Sequence, residues 1–297
     1  MTVSHFAQPF SGPGRHRMNV PGQPLALLGV LAAALSAAFV LAPGVLAAIW
    51  PGGGYAGQGA LITGIRSGFI DYWSSGDHDY PPELERLVDY WLRYHVAKAV
   101  IAALLLTVLI MLCARLWAPL LRADRIAPGR AAALALSGAL AAMLALAATV
   151  LTVANIQGAL APFSSLISML PLGTRDTQLT TTIGQVKQDL AVYPNVRGGT
   201  PPALHAMISD FAIYHAAIVV LAAAVAVILI GLSVVSWRRR ARTSSSERRI
   251  RRTLGLAGVA SALVSFAVIV IAMANLGNAM HPAQALLAFF TGGAGGL

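Results

Sequence analysis

The sequence predicts an all-α, polytopic membrane protein with five transmembrane helices and an internal parallel repeat of about 120 residues. The first observation is composition: 57% of the 297 residues are hydrophobic and only 11% are charged, whereas a soluble domain carries about 25% charged residues. The second is that five uncharged apolar stretches each reach the roughly 20 residues that cross a hydrocarbon core. The third is the recurrence of uncommon residues at a fixed interval. The same composition excludes a disordered chain, and the lone Cys113 excludes a disulfide scaffold.

The predicted spans cover residues 25–50, 97–121, 131–157, 213–237 and 254–280. Arginine and lysine in short loops resist translocation and therefore mark the cytoplasmic side. Most of the 21 basic residues, Arg15, Arg17 and Arg125 among them, lie before the first span or between the second and third or the fourth and fifth spans. Nearly all of the 11 acidic residues lie in two long connections, 51–96 and 158–212. We therefore expect a cytoplasmic N-terminus, with both long loops and the C-terminus outside.

This topology divides the chain into six regions. They are a cytoplasmic tail at 1–24, repeat unit 1 at 25–121, a basic cytoplasmic loop at 122–130, repeat unit 2 at 131–237, an Arg-rich cytoplasmic loop at 238–253 and a truncated third unit at 254–297. Heavy use of arginine and alanine is typical of a bacterial genome rich in GC, so the predicted location is the bacterial inner (plasma) membrane. The alternative is a signal peptide cleaved after Leu46-Ala47-Ala48, but the first apolar run is longer than such peptides use.

Matching residues outside the spans reveal the repeat. At an interval of 120 residues, the matches include Pro81-Pro82 with Pro201-Pro202, Tyr94-His95 with Tyr214-His215, and Asn155 with Asn275 in the truncated third unit. Each whole unit consists of a span, an outer helical hairpin and a second span. Because the number of spans per unit is even, the copies keep one orientation, and any symmetry axis runs along the membrane normal.

The outer hairpins are predicted from helical periodicity. Apolar residues lie on one helical face over 62–72 and over 183–193. The Pro-Pro pairs that follow suit the first turn of a helix, so a long helix is predicted to begin at each pair, with Asp79 or Thr200 nearby as its cap. An apolar stripe on each long helix is expected to face the amphipathic helix of its own unit.

His95 and His215 are the candidate cofactor ligands. They occupy equivalent positions at the outer membrane boundary, and neutral imidazoles commonly bind haem b or a metal ion. The alternative is an interfacial belt of tyrosine and histidine with a structural role. No cofactor is the main expectation, with haem b as the alternative, and no metal-binding motif is present.

Four further polar residues form a candidate ligand pocket. Tyr94 and Tyr214 precede the two histidines, and Asn155 and Asn275 lie near the outer ends of their spans. Side chains at these depths can bind a ligand, or they can hydrogen-bond to a neighbouring helix.

The arginines of the last cytoplasmic loop are the candidate contacts for anionic lipids. They are Arg238, Arg239, Arg240, Arg242, Arg248, Arg249, Arg251 and Arg252. The same residues also serve as the topology signal. No aromatic residues interleave with them, so nucleic-acid binding is not expected.

The spans contain no ionisable residue near their centres, which argues against ion-coupled transport. Lys98 lies within a turn of the outer surface, where it can snorkel. No nucleophile or metal motif occurs either. The leading hypothesis is a non-enzymatic scaffold or accessory subunit of a bacterial cell-envelope complex, which binds a membrane-protein partner or forms a homo-oligomer. The alternatives are a protein that binds a lipid or another hydrophobic ligand, and a haem or quinone redox protein that uses His95 and His215.

Overall fold

A computed structural model describes residues 22–50, 53–55, 57–122, 126–173, 175–195 and 199–292. In these ranges the chain is all-helical, without strands. The helices are α1 (Gly22–Ala48), α2 (Gln58–Ser75), α3 (Pro82–Trp117), α4 (Pro128–Leu160), α5 (Pro162–Ile167), α6 (Thr177–Val192), α7 (Pro202–Arg242), α8 (Arg248–Met280) and α9 (Pro282–Phe290), with a 3-10 turn at Ala118–Leu121. Arg15, Arg17 and Arg125, the tail up to residue 21 and the last five residues lie outside the described ranges.

Five of these helices, α1, α3, α4, α7 and α8, are long and apolar enough to cross a membrane. The predicted membrane class and span number are therefore confirmed for the described residues. The five helices form a row in which α1 packs on α3, α3 on α4, α4 on α7, and α7 on α8. The closest pairs are α3 with α4 and α7 with α8.

The long helices α3 and α7 begin at the second proline of each Pro-Pro pair, as predicted. Asp79 and Thr200 do not cap them, so that expectation was wrong. The N-cap positions are Pro81 and Pro201, and neither helix has a side-chain cap. A proline occupies each N-cap position and has no side-chain acceptor, and Asp79 and Thr200 lie one or two residues before that position. The ring of the next proline fixes φ near the helical value.

Near one end of the long helices, glycines allow neighbouring spans to pack closely. The indole of Trp117 lies against Gly138, and the indole of Trp237 lies against Gly258, so a Cβ at either glycine would lie within 3 Å of an indole nitrogen. Next to the second of these contacts, the Ser233 hydroxyl donates to the Gly258 carbonyl at 2.9 Å. We call α1 to α5 the first half and α6 to α9 the second half. In the first half the Cys113 sulfur lies 4.0 Å from the Gly138 carbonyl oxygen, so both contacts in the second half fall 120 residues after contacts in the first.

The short helices lie together at the opposite ends of the long helices. We call α2, α5, α6 and α9, together with the first turns of α3 and α7, the cap. We call the other end of the long helices, which carries the arginines, the basic end. The core of the cap contains fully buried side chains from each of these helices, including Ile65, Phe69, Tyr72, Leu84, Leu166, Leu179, Leu204 and Leu286. The C-terminal helix α9 is therefore an integral part of the cap.

Polar contacts join the two halves of the cap. The Arg66 guanidinium of α2 pairs with the Asp176 carboxylate, which also caps α6. The Trp73 indole N–H donates to the Gln185 side-chain oxygen at 3.0 Å. In the first half α2 packs on α3 as expected, whereas α6 packs mainly on α9 and α2. The cap is thus one layer shared by the two halves, and not two separate hairpins.

Leu286→Ala tests whether α9 is needed for the fold. Leu286 is 0% exposed, so its truncation is expected to lower the free energy of unfolding by about 2–5 kcal/mol, the usual cost of a buried Leu→Ala change. The measurement is an SDS titration in dodecyl maltoside micelles. Leu263→Ala is the matched control, because Leu263 lies on α8 and is 65% exposed. Equal effects of the two changes would contradict the role of α9.

Asp176→Asn tests the ion pair that joins α2 to α6. The Arg66 guanidinium and the Leu179 N–H hold the pKa of Asp176 below its usual range. The stabilisation is therefore complete above the unfolded-state pKa of about 3.9 and is lost as the pH falls through the lower folded-state pKa. The fall in melting temperature between pH 7 and pH 3 is expected to be smaller in Asp176→Asn than in the wild type.

Asparagine is also a good N-cap, so this change isolates the carboxylate charge. Asp71→Asn on the exposed side of α2 is the control and should behave like the wild type. If Asp176→Asn retained the full acid dependence of the wild type, the ion pair would not contribute to stability.

Candidate functional site

The candidate site lies where the long helices leave the cap and enter the row of spans. On α3, Nδ1 of His95 lies 3.0 Å from Oδ1 of Asn155 on α4. The Asn155 amide N–H donates to the Leu151 carbonyl at 2.7 Å, so Oδ1 is the atom that faces the imidazole. An amide carbonyl oxygen can only accept, and therefore Nδ1 of His95 carries the proton. In the neutral ring Nε2 is then a hydrogen-bond acceptor.

Ser165 on α5 supplies the donor for that nitrogen. Its hydroxyl lies 3.3 Å from Nε2 of His95, and the Trp91 indole N–H donates to the same hydroxyl oxygen at 3.1 Å. The chain of hydrogen bonds runs from Trp91 through Ser165 and His95 to Asn155. It joins α3, α4 and α5 at one point.

Gly158 makes room for the imidazole. A Cβ at this position would lie 2.7 Å from the nearest atoms of the His95 ring, a distance that real side chains do not tolerate. Because position 158 lies one turn after Asn155 on α4, the absence of a side chain brings the ring against the helix backbone. The second half has Asn278 at the corresponding position.

The second half repeats the histidine–asparagine pair without the serine. Nδ1 of His215 lies 2.8 Å from Oδ1 of Asn275, whose amide N–H donates to the Ile271 carbonyl. Phe211 replaces the tryptophan, and its ring meets the imidazole edge-to-face at a centroid distance of 4.6 Å. His215 is 0% exposed, and its Nε2 has no hydrogen-bond partner among the described residues.

The residue 120 positions after Ser165 is Ala285, which has no hydroxyl. Trp91 and Ser165 bond to each other in the first half, whereas Phe211 and Ala285 occupy the corresponding positions in the second. The two replacements therefore occur together. As a result, Nε2 of His95 has a hydroxyl donor, whereas Nε2 of His215 has none among the described residues.

The order Ser165, His95, Asn155 matches the connectivity of an acyl-transfer triad. A nucleophile must also reach its substrate, and Ser165 is only 9% exposed, with its oxygen accepting the Trp91 N–H. Neither of the two clefts described below is lined by these residues. The contacts present support a connection between helices.

The structure brings each candidate asparagine to the histidine of its own half. Tyr94 stacks on Trp91 at a centroid distance of 5.1 Å, and the Tyr214 carbonyl accepts from the Gln157 side chain at 3.1 Å. The pocket expected from the two tyrosines and two asparagines stays a prediction.

Haem ligation by the histidines also stays a prediction. In His95 both ring nitrogens have hydrogen-bond partners, so iron could bind Nε2 only after Ser165 moved away. Among the described residues, no group of three or more His, Cys, Asp or Glu side chains is placed to hold a metal ion.

Two clefts open on the surface of the cap. The larger has a volume of about 490 Å³ and lies between the starts of α3 and α7. Its lining residues are His78, Asp79, Tyr80, Glu85, Ala206, Ser209, Asp210 and Ile213. The smaller, of about 340 Å³, is lined by Trp73, Gly76, Gln185, Gln188, Asp189 and Pro201. Sequence analysis missed the larger cleft because its three carboxylates come from segments more than 120 residues apart.

Two tyrosines close to the larger cleft have strongly raised pKa values. Burial, with the negative charges of Asp210 and Asp79, raises the pKa of Tyr72 to about 12. Burial also raises the pKa of Tyr80 well above its usual range. Both phenols therefore stay protonated at neutral pH, and the Tyr72 hydroxyl donates to the His78 carbonyl at 3.2 Å. This bond holds the loop before α3 against α2.

Several arginines at the basic end bind backbone carbonyls. Arg251 donates to the Thr243 carbonyl at 2.9 Å, and Arg249 donates to the Arg122 carbonyl at 2.7 Å. The Arg240 guanidinium lies over the Trp237 ring. Contact of this loop with anionic lipids stays a prediction. The Arg251 and Arg240 side chains also order the connection between α7 and α8, and Arg249 joins α8 to the end of the 3-10 turn.

Comparison with known proteins finds no family, no curated protein and no solved structure that matches this chain.

A pair of substitutions tests the difference between the two histidines. Ser165→Ala removes the donor to His95 and leaves a buried acceptor unpaired, which should lower the free energy of unfolding by about 1–3 kcal/mol. Ala285→Ser supplies the missing hydroxyl to His215 and should raise it by about 0.5–1.5 kcal/mol. Both are measured by SDS titration of the purified protein.

Ala283→Ser is the control for the second change. Ala283 is also buried on α9, but it lies two residues before Ala285 and so on the other side of the helix. A hydroxyl there is expected to gain no histidine partner and to destabilise the protein. If Ala285→Ser were as harmful as Ala283→Ser, the hydrogen-bond equivalence of the two halves would be wrong.

Proposed function

We propose that the protein is a non-enzymatic integral membrane scaffold or accessory subunit of a bacterial cell-envelope complex. The single observation that carries this proposal is the use made of the buried polar side chains. His95, Asn155 and Ser165 bond to one another across three helices, and His215 bonds to Asn275 across two. Ser165 joins the cap helix α5 to α3, and the two histidine–asparagine pairs join neighbouring spans. The hydroxyl-bearing Ser165 is only 9% exposed.

The proposal includes an internal duplication with a period of 120 residues. It is supported by three sets of equivalent contacts: His95–Asn155 with His215–Asn275, Trp117–Gly138 with Trp237–Gly258, and Cys113–Gly138 with Ser233–Gly258. Sequence similarity between alanine-rich spans arises easily by chance. Equivalent side-chain contacts at two depths, in both α3–α4 and α7–α8, do not arise easily by chance.

The cap is proposed to face the extracytoplasmic side. The support is the distribution of charge, because the basic end carries the arginines around residue 122 and in 238–252, and such residues stay in the cytoplasm. The cap in turn carries the acidic cleft. A partner subunit would then meet the cap outside the membrane, or the exposed apolar faces of the spans within it.

Cysteine labelling tests the orientation. Cys113→Ser gives a background without cysteine and introduces the residue found at the equivalent position 233. Ser74→Cys, exposed on α2, should react with a membrane-impermeant maleimide on intact cells, whereas Ser245→Cys at the basic end should react only after permeabilisation. The reverse pattern would contradict the proposed topology.

Photo-crosslinking tests the scaffold role. Benzoylphenylalanine at Ser209, which lines the larger cleft, should crosslink to one abundant protein in native membranes, and mild-detergent purification should recover that protein in stoichiometric amount. The same probe at Ser245 is the control for nonspecific capture. A monomer without any partner in both experiments would contradict the proposal.

A further inference from the structure

Two cations of α3 face α1 near the cap. The Arg93 Nε–H donates to the Ala47 carbonyl at 3.3 Å, close to the end of α1. The Lys98 ammonium lies 4.6 Å from the centroid of the Phe39 ring on α1 and 5.1 Å from that of Tyr94. The two side chains follow each other along the same groove between α1 and α3, about 7.5 Å apart in helical rise.

Neither cation has a carboxylate partner among the described residues. The ion pairs there join Arg66 with Asp176, His78 with Asp79, and Arg86 with Glu83. The Nη1 and Nη2 groups of Arg93 make no hydrogen bond within the described part of the chain, although Arg93 is partly buried. Two positive charges are thus held between α1 and α3 with donors to spare, and a partly buried charge without a carboxylate partner favours an anionic ligand.

The depth of Lys98 matches the edge of the hydrocarbon region. Between Lys98 and Arg115 α3 carries no charge, and this stretch is about 25 Å long at a rise of about 1.5 Å per residue. A hydrocarbon core is about 30 Å thick, so a lysine at this level extends its ammonium towards the lipid headgroups. Because α1 is the last helix of the row, and Val45 on it and Ile49 just after it are mostly exposed, the groove is open to lipid.

The charges of Arg93 and Lys98 do not recur in the second half. At the positions 120 residues later, α7 has Ile213 and Ile218. Ile213 is 48% exposed and lines the larger cleft of the cap. Arg93 and Lys98 are therefore special to the groove between α1 and α3.

We propose that Arg93 and Lys98 bind the phosphate of an anionic phospholipid in the leaflet on the cap side. The Arg93 fork donates to phosphate oxygens, and the Lys98 ammonium, held over Phe39 and Tyr94, supplies the second charge. The acyl chains lie along the exposed side of α1. This site is separate from the arginines of the basic end, and it does not depend on the proposed partner role.

Native mass spectrometry of the purified full chain tests the site. The protein in mild detergent is titrated with phosphatidylglycerol, and lipid adducts are counted for the wild type and for Arg93→Ile/Lys98→Ile, which carries the residues of the second half. We expect the double variant to retain one phosphatidylglycerol fewer, or to bind the tightest one at least tenfold more weakly. Arg86→Ile/Lys187→Ile removes the same charge from the cap outside the membrane and should bind like the wild type.

Arg93→Gln/Lys98→Met repeats the test with side chains closer in shape, and a melting curve verifies that each variant is folded. Phosphatidylcholine, which has the phosphate without net charge, should be retained less than phosphatidylglycerol, and millimolar inorganic phosphate should not displace the lipid. Unchanged retention in both folded variants would overturn the proposal. Equal retention of the two lipids, or displacement by inorganic phosphate, would overturn its assignment to an anionic lipid.

Discussion

A polar side chain buried between membrane helices must find its hydrogen-bond partner within the protein. In this chain a histidine and an asparagine 60 residues apart meet that requirement in each half. His95 joins α3 to α4, and His215 joins α7 to α8, at the level where the spans meet the cap. Near the basic end, an indole packed on a glycine sets the spacing of the same two helix pairs. Each pair is thus fixed at two depths, and the rest of the fold is arranged around these pairs.

The cap connects the two halves of the protein. Its core combines side chains from both halves, and its polar contacts run from α2 to α6 and from α2 to the start of α7. The halves differ in detail, since Ser165 completes the bonds of His95 while Ala285 leaves Nε2 of His215 without a donor. Arg93 and Lys98 also have no counterpart in the second half. These polar contacts are therefore present in the first half only.

The sequence predicted the class, the five spans and the starts of the long helices, because apolar length and Pro-Pro pairs act locally. It also singled out His95, His215, Asn155 and Asn275, but not that each histidine would bond to the asparagine of its own half. That pairing depends on how α3 lies against α4, which no local pattern encodes. The N-caps were wrong because each N-cap position is itself a proline without a side-chain acceptor, and Asp79 and Thr200 precede it. The acidic cleft and the contact of α6 with α9 were missed because both depend on packing between distant segments.

The central claim is that the two histidine–asparagine bonds are equivalent structural connections between helices. A double-mutant cycle on each pair, with His→Leu and Asn→Leu changes singly and together, measures the coupling free energy directly by SDS titration. The account predicts a favourable coupling of about 0.6–2 kcal/mol, the range found for hydrogen bonds between membrane helices, and a similar value in both halves. Additive effects in either half, with coupling indistinguishable from zero, would contradict it.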